Sequence, residues 1–359
     1  MWKNRHIMDR LNKINKILLF IVLSVAALHF GAPFLKPIVF GILLASLMTP
    51  FCDFLERKGM HRIFASIIST LVLFIVIGAI LTLLVFQLNN FALELSSFGN
   101  ELKASIEAFR EKIAAVTDLS LERQNDIWQD RSQKLLNSIE NSVTQFISAF
   151  INSIIDLLIV LLYVILFLLY RRKIYEFIMI YIPQEKKANS DEILSKVNKV
   201  VVSYLWGRAQ VMAVLAVMYY VSFALFDLPY AVLLVVFATI ITIIPYLGPF
   251  VSGLIPIVFS FIFFDSITTV AVFTLLIITI QLIESYVLEP LIIGKEVKLN
   301  PLIVILAVIT GGLIWGIAGM VLFVPIFAMV KIISQNSVGL EPIGFLFGNS
   351  TRGRKDSQL

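Results

Sequence analysis

Eight long apolar runs constrain this chain more than any other feature. They lie near 15–31, 34–55, 62–90, 147–171, 207–227, 230–263, 266–289 and 301–333. Runs of 18 or more apolar residues read as helices that cross a bilayer. The expected fold class is therefore an all-α polytopic membrane protein. Composition agrees, with 59% hydrophobic and 15% charged residues, against roughly 45–50% and about 25% in soluble domains. Basic residues precede the first run as they would in a signal peptide. "HFGAPFLKP" then follows without a small-x-small cleavage site, so the first run reads as a retained span. The sole cysteine, Cys52, has no partner for a disulfide within the chain and reads as a small packed hydrophobe.

The sixth and eighth runs are about 33 residues long, where a span needs about 20. Both are interrupted near their middles, by "IPYLGP" in one and "TGGLIWGIAG" in the other. Each is either one long tilted helix or a hairpin that enters the membrane and turns back. Basic residues set the orientation. Lys3, Arg5, Arg10, Lys13 and Lys16 precede the first run, Arg57, Lys58 and Arg62 follow the second, and Arg171, Arg172, Lys173, Lys186, Lys187, Lys196 and Lys199 follow the fourth. These regions are expected in the cytoplasm, with the N-terminus, and 91–146 outside. The net charge of +5 is read as this topology signal, and no nucleic-acid partner is expected. Eight spans, or six spans with two re-entrant hairpins, both return the tail to the cytoplasm. The second also puts Lys295 and Lys298 there, and the charge rule favours it.

Two polar stretches have helical spacing. Phe91, Leu95, Phe98, Leu102, Ile106, Phe109, Ile113 and Val116 step by four and three, a coiled-coil-like seam. Leu136, Ile139, Val143 and Phe146 repeat the rhythm. The expectation is a helical hairpin outside the membrane, turning near Asp118–Asp126. In 189–205, Asn189 and Glu192 have the spacing of a capping box. Ile193, Val197, Val200 and Tyr204 then form one apolar stripe, as in a helix lying in the cytoplasmic interface. The chain thus divides into membrane segments 1–90, an external hairpin 91–146, a fourth span with interfacial helix 147–206, a transport core 207–333 and a flexible cytoplasmic tail 334–359.

Nothing in the sequence points to an enzyme. His6, His29 and His61 are scattered, and there is no HExxH, GxSxG, P-loop or zinc spacing. No cofactor and no metal ion are expected. The informative residues are polar ones inside apolar runs, because a charge at the bilayer centre costs at least about 2.5–3.5 kcal/mol. "TIQLIESYVLEP" places Gln281, Glu284 and Ser285 on one helical face, with Glu289 beyond. That face suits a substrate or ion site, or a bond to a neighbouring helix through Arg208. "YLWGRAQVM" opens the fifth run with Arg208 and Gln210, and Asp156 sits in the fourth. Broken helices in transporters expose N–H and C=O groups that bind substrates or ions. Pro245, Tyr246, Gly248 and Pro249 therefore mark a binding or gating region, with Gly248 expected to supply a positive φ or a close approach. Gly311 and Gly312, with Gly316 and Gly319, permit close helix contact or a sharp turn.

Three stretches together resemble a known family. "LPYAVLLVVFATIITIIPYLGPFVSGLIPIVF", "QLIESYVLEPLIIGKEVKLNPLIVILAVITGGLIWGIAGMVLFVPIFAMVKII" and "LKPIVFGILLASLMTPFCDFLERKG" are similar to segments of the autoinducer-2 exporter family of bacterial membrane transporters. The resemblance implies an inner-membrane permease that assembles as a homo-oligomer, a pentamer. It carries the motif role onto Pro245, Tyr246, Gly248, Pro249, Gln281, Glu284, Pro290, Gly294, Asn300, Pro301, Gly311, Gly312, Gly316, Gly319 and Pro325. Asn300 stands where the motif commonly has histidine. Some members are associated with sodium–proton exchange.

Three functions remain open at this point. One is a secondary transporter exporting a small polar metabolite such as the quorum-sensing signal autoinducer-2. Another is a sodium (cation)/proton antiporter with Glu284 as the titrating carboxylate. The third is a non-transporting membrane scaffold built on the external hairpin. The expected partners are a small-molecule or ion substrate, the lipid bilayer and further copies of the chain. The expected substrate or ion pathway comprises Arg208, Gln210, Pro245, Tyr246, Gly248, Pro249, Gln281, Glu284, Glu289, Asn300, Gly311 and Gly312.

Overall fold

Apolar residues four apart make the long runs helical. On one face of the fifth run, Val211, Leu215, Tyr219 and Phe223 fall one helical turn after another, and all four are fully buried. The structure is a computed structural model. It describes residues 15–348 apart from 17, 21, 95–98, 100–120, 185–186, 294–298 and 338. The helices are α1 (Ala32–Arg57), α2 (Arg62–Leu93), α3 (Leu121–Ile180), α4 (Lys187–Leu225), α5 (Ala231–Ile241), α6 (Leu247–Phe263) and α7 (Ile267–Ile283). A π-helix (Glu284–Ile293) follows, then α8 (Pro301–Trp315), α9 (Ile317–Gln335) and α10 (Glu341–Phe347). A shorter apolar helix, Leu18–Phe30, precedes α1. No strand occurs among the described residues, and the fold is an all-α polytopic membrane protein. Six helical stretches are long and apolar enough to cross a membrane: Ala32–Arg57, Arg62–Leu93, Ile154–Ile180, Asn189–Leu225, Ile267–Ile293 and Ile317–Gln335.

Two compact units share the chain. One comprises Met1–Thr49, Ile159–Val201 and Leu299–Leu359, and the other Pro50–Leu158 and Val202–Lys298. In the second unit, the buried face of α4 packs with Leu234 and Ala238 of α5 and with Phe273, Ile277 and Ile280 of α7. The sixth run reverses here. Tyr230, just before α5, meets Phe263 at the end of α6 with ring centroids 6.0 Å apart, so the two helices run antiparallel. At about 1.5 Å per residue they measure about 16 and 25 Å, short of a ~30 Å hydrocarbon core. Phe91 of α2 closes against this hairpin, edge-on to Tyr230 at 5.0 Å.

The first unit contains the second reversal. Gly316 ends α8 with φ 66° and ψ −144°, a backbone state essentially reserved to glycine, and α9 starts at the next residue. Gly311 and Gly319 then lie backbone against backbone, and a Cβ on either would overlap the other's carbonyl. Trp315 donates from Nε1 to the Leu28 carbonyl at 2.8 Å, tying the turn to the N-terminal helix. Thus both interrupted runs are hairpins of two helices rather than long tilted ones.

Three expectations change. The stretch 189–205 is not a separate helix: it is the first part of α4, which runs unbroken for 39 residues, and Asn189 lies inside its first turn rather than capping it. Its apolar stripe continues in register into the buried face of the fifth run, so nothing ends the helix at 205. The tail is not unstructured from 334. Residues Glu341–Phe347 form α10, Gln335 donates from Nε2 to the Gly344 carbonyl at 3.2 Å, and Phe347 stacks on Phe327 at 5.5 Å. The turn expected near Asp118–Asp126 does not include 121–126, which are helical. Most of the first seam, from Leu95 to Val116, lies outside the described residues. Its expected return arm is the start of α3, whose 60 residues span about 90 Å, roughly three times the hydrocarbon thickness.

Candidate functional site

The break in the sixth run has a definite geometry. Proline fixes its own φ and disfavours the helical state in the residue before it, so Pro245 and Pro249 leave only a short stretch in which the chain can turn. The Pro245 carbonyl accepts a hydrogen bond from the Leu247 N–H at 2.8 Å. This closes a three-residue γ-turn around Tyr246, at φ 64° and ψ −50°, the positive-φ form that is rare and strained. The positive φ expected at Gly248 therefore sits on Tyr246, whose exposed side chain is not needed in the core. Gly248 serves the close approach instead: it is buried, and a Cβ there would fall 2.5 Å from the Thr242 Cα and closer still to the Ile241 carbonyl. Strain of this kind costs about 1–3 kcal/mol. Tyr246→Gly is expected to raise the thermal midpoint of the detergent-solubilised protein, by a net gain of about 1 kcal/mol once glycine's larger unfolded-chain entropy is subtracted. A lowered midpoint would show that the turn is relaxed.

A polar network joins the break to α7. Gln281 donates from Nε2 to the Tyr219 hydroxyl at 2.8 Å and to Ser252 Oγ at 3.1 Å. Ser252 in turn donates to the Pro249 carbonyl at 3.1 Å. Gly253 makes room for the amide, since a Cβ there would stand 3.1 Å from Nε2. Both amide hydrogens of Gln281 are thus committed, and its Oε1 is left buried with no hydrogen-bond partner among the described residues.

One helical turn on, Glu284 is fully buried, and neither carboxylate oxygen has a hydrogen-bond partner among the described residues. Buried polar atoms in native proteins are overwhelmingly paired, and exceptions call for a specific reason. Arg208 is buried too and donates from Nη1 to Glu289 Oε1 at 2.6 Å, while its Nε and Nη2 have no hydrogen-bond partner among the described residues. The π-helix explains how Glu289 joins this side. In an α-helix at about 100° per residue, a residue five positions on is turned by about 140°. In a π-helix the hydrogen bonds connect residues five apart, so Glu289 stacks over Glu284. Ser285 is exposed, away from the face predicted for it. Gly207 lets α4 approach, because a Cβ there would lie 3.0 Å from the Ile293 Cα.

The predicted residues therefore separate. Arg208, Glu289, Gln281, Glu284 and the Pro245–Pro249 break all belong to the second unit. Gln210 is exposed, two positions and about 200° round α4 from the buried Arg208. Asn300 belongs to the first unit and caps α8, its Oδ1 accepting from the Leu302 N–H at 3.1 Å ahead of Pro301. Gly311 and Gly312 pack α8 against α9. Asp156 is exposed near the start of its apolar stretch. Tyr219, Ser252, Gly207 and Gly253 are additions. Their signal was available as hydroxyls and glycines inside apolar runs, in "VMYYVSF", "PFVSGL" and "YLWGRA".

What this arrangement offers a ligand is a set of acceptors. Three buried oxygens, two of Glu284 and one of Gln281, lie on successive positions of one helix face without hydrogen-bond donors among the described residues. Such a set suits a ligand that brings donors or positive charge: a hydroxylated molecule, a cation or a proton.

Comparison with known proteins supplies context. The family model described as AI-2E family transporter matches residues 18–339. YrrI of Bacillus subtilis, provisionally named a transport protein, is 30% identical over 150 residues, which is 42% of this chain and 42% of its own length. The chain thus aligns with less than half of that relative. YhhT of Escherichia coli K12, also provisionally named a transport protein, is 21% identical over 346 residues, 94% of each chain. The AI-2 transport protein TqsA of Escherichia coli K12 is 23% identical over 353 residues, 94% of this chain and 96% of TqsA.

Proposed function

The chain belongs to the AI-2E transporter family, and from that membership we propose that it is a secondary permease exporting a small polar metabolite such as autoinducer-2. The observation that carries this reading is the buried Glu284, whose two oxygens, like the nearby Gln281 Oε1, have no hydrogen-bond partner among the described residues. A carboxylate left so inside an apolar helix is costly unless a ligand completes it. A polyhydroxylated metabolite donates to these acceptors. Arg208, with two nitrogens that make no hydrogen bond among the described residues, holds Glu289 and balances the charge. The Pro245–Pro249 turn, linked to Gln281 through Ser252, is the joint that opens the site. The chemistry is transport rather than catalysis.

A second reading, cation/proton antiport with Glu284 as the titrating group, draws on the same unpartnered carboxylate. In either case we place the protein in a bacterial inner membrane as a homo-oligomer, a pentamer, with the N-terminus and tail cytoplasmic and the 91–146 hairpin outside. Proteoliposomes decide between the readings. With autoinducer-2 inside, imposed sodium and proton gradients are expected to change the rate of metabolite efflux. Cation–proton exchange without metabolite movement would establish the antiporter instead. No flux of either kind would leave a membrane scaffold.

A further inference from the structure

Glu284, Glu289 and Arg208 set two carboxyl groups against one guanidinium. The guanidinium is buried and serves Glu289 through Nη1 alone, at 2.6 Å. Its Nε and Nη2 are buried without a hydrogen-bond partner among the described residues. Those two nitrogens form the edge with which a guanidinium grips both oxygens of a carboxylate at once. Glu284 offers the matching half. It is fully buried, and neither of its oxygens is hydrogen-bonded among the described residues. Unsatisfied donors and unsatisfied acceptors thus share one site, where native proteins pair such atoms.

The three groups are neighbours. The charges of Arg208 and Glu289 both act on Glu284. Glu284 and Glu289 are one turn apart in the π-helix, and Gly207 lets α4 approach that helix at Ile293. The two carboxylates differ in what they lose when the arginine leaves. The Glu289 side chain is 38% exposed, so water can solvate it. Glu284 is enclosed, and an ionised group left there unpaired is costly.

We propose that Arg208 exchanges between Glu289 and Glu284, and that cargo competes with it for Glu284. With the guanidinium on Glu289, as in this structure, the Glu284 oxygens take the donors of a ligand. When the ligand leaves, the Nε–Nη2 edge closes on Glu284, and Glu289 is released to solvent. Arg208 is then the resident counter-ion of the buried carboxylate, and cargo must displace it to bind. Glu289 is a positioning residue, because it draws Arg208 aside. The competition with cargo rests on the permease reading above, whereas the exchange of partners does not.

Fluorescence-detected size exclusion and thermal midpoints of the full chain test the exchange without any flux. Glu289→Gln is expected to assemble with a midpoint close to that of the wild type, because the guanidinium moves to Glu284. Glu284→Gln combined with Glu289→Gln strands the buried arginine. It should abolish assembly, a loss far beyond the sum of the two single changes. Dicyclohexylcarbodiimide couples to uncharged carboxyls in apolar surroundings and gives a second readout by mass spectrometry. Pairing with Arg208 should lower Glu284 labelling in Glu289→Gln about fivefold relative to the wild type. A fixed Arg208–Glu289 pair predicts the opposite pattern: Glu289→Gln fails to assemble, the double variant is no worse, and Glu284 labelling stays level or rises. Any one of these three results would overturn the proposal. Liposomes in which neither metabolite nor cation moves would end the permease reading and leave the exchange in place. Flux through a protein whose two substitutions are simply additive would do the reverse.

Discussion

Glu284→Gln is expected to reduce transport to the level of empty liposomes while the protein still assembles. The side chain keeps its shape and loses its charge. If the carboxylate held the fold together, the change would lower stability. The structure argues the reverse, since Glu284 is fully buried and neither oxygen has a hydrogen-bond partner among the described residues. Replacing a buried carboxylate that makes no hydrogen bond among the described residues removes a desolvation penalty. The thermal midpoint of Glu284→Gln should therefore stay level or rise. The paired readout separates the two roles: lost flux with an unchanged or raised midpoint assigns the group to transport, and undiminished flux removes it from the site. A lowered midpoint with a loss of assembled protein would mark Glu284 as structural.

Gly248→Leu should be the most damaging single change in the second unit. The atoms that a Cβ would meet are the Ile241 carbonyl and the Thr242 Cα. These are backbone atoms in the tightest part of the turn, and neither can swing aside as a side-chain tip does. Overpacking a well-filled site costs about 1–3 kcal/mol, occasionally more, and alanine alone already produces the clash. Leucine adds branched bulk, so a cost above about 3 kcal/mol is expected, seen as aggregation on fluorescence-detected size exclusion. Pro245→Ala combined with Pro249→Ala offers the contrast: no atom is added, and the protein should assemble. A Gly248→Leu variant with normal assembly would mean that α6 can move away from Thr242.

Much of this architecture was legible in the sequence, because hydrophobic run length and spacing record burial directly. The run at 62–90 became Arg62–Leu93, and the prolines of "IPYLGP" stand at the observed break. The interrupted eighth run pointed to a turn among four glycines, but only backbone geometry shows that Gly316 makes the turn while Gly311 and Gly319 make the contact. Asn300 looked like a pathway residue from its motif, yet an Asn-Pro pair is equally a helix start, and that is its use here. Register was the least visible feature. Nothing in "ESYVLEPLII" announces a π-helix, so Glu289 could not be placed over Glu284 by counting α-helical turns. The γ-turn was hidden for a similar reason: positive φ is sought at glycine, and here a tyrosine carries it.

That turn also bears on energetics of exchange between conformers. An excess of about 1–3 kcal/mol at one residue corresponds to a ratio of about 5–150 between two populations. The strained form persists only because its surroundings outweigh that ratio, with Ser252 holding the Pro249 carbonyl at 3.1 Å and Gln281 holding Ser252 at the same distance. A solute that draws Gln281 away from Ser252 releases one of those restraints. Occupancy at α7 and the pose of the Tyr246 joint are then thermodynamically linked, and each biases the other by the same factor. On the proposed reading, in which cargo binds at Gln281, no large reserve of binding energy is needed for movement: a weakly held cargo, worth only a few kcal/mol, is enough to tip the joint.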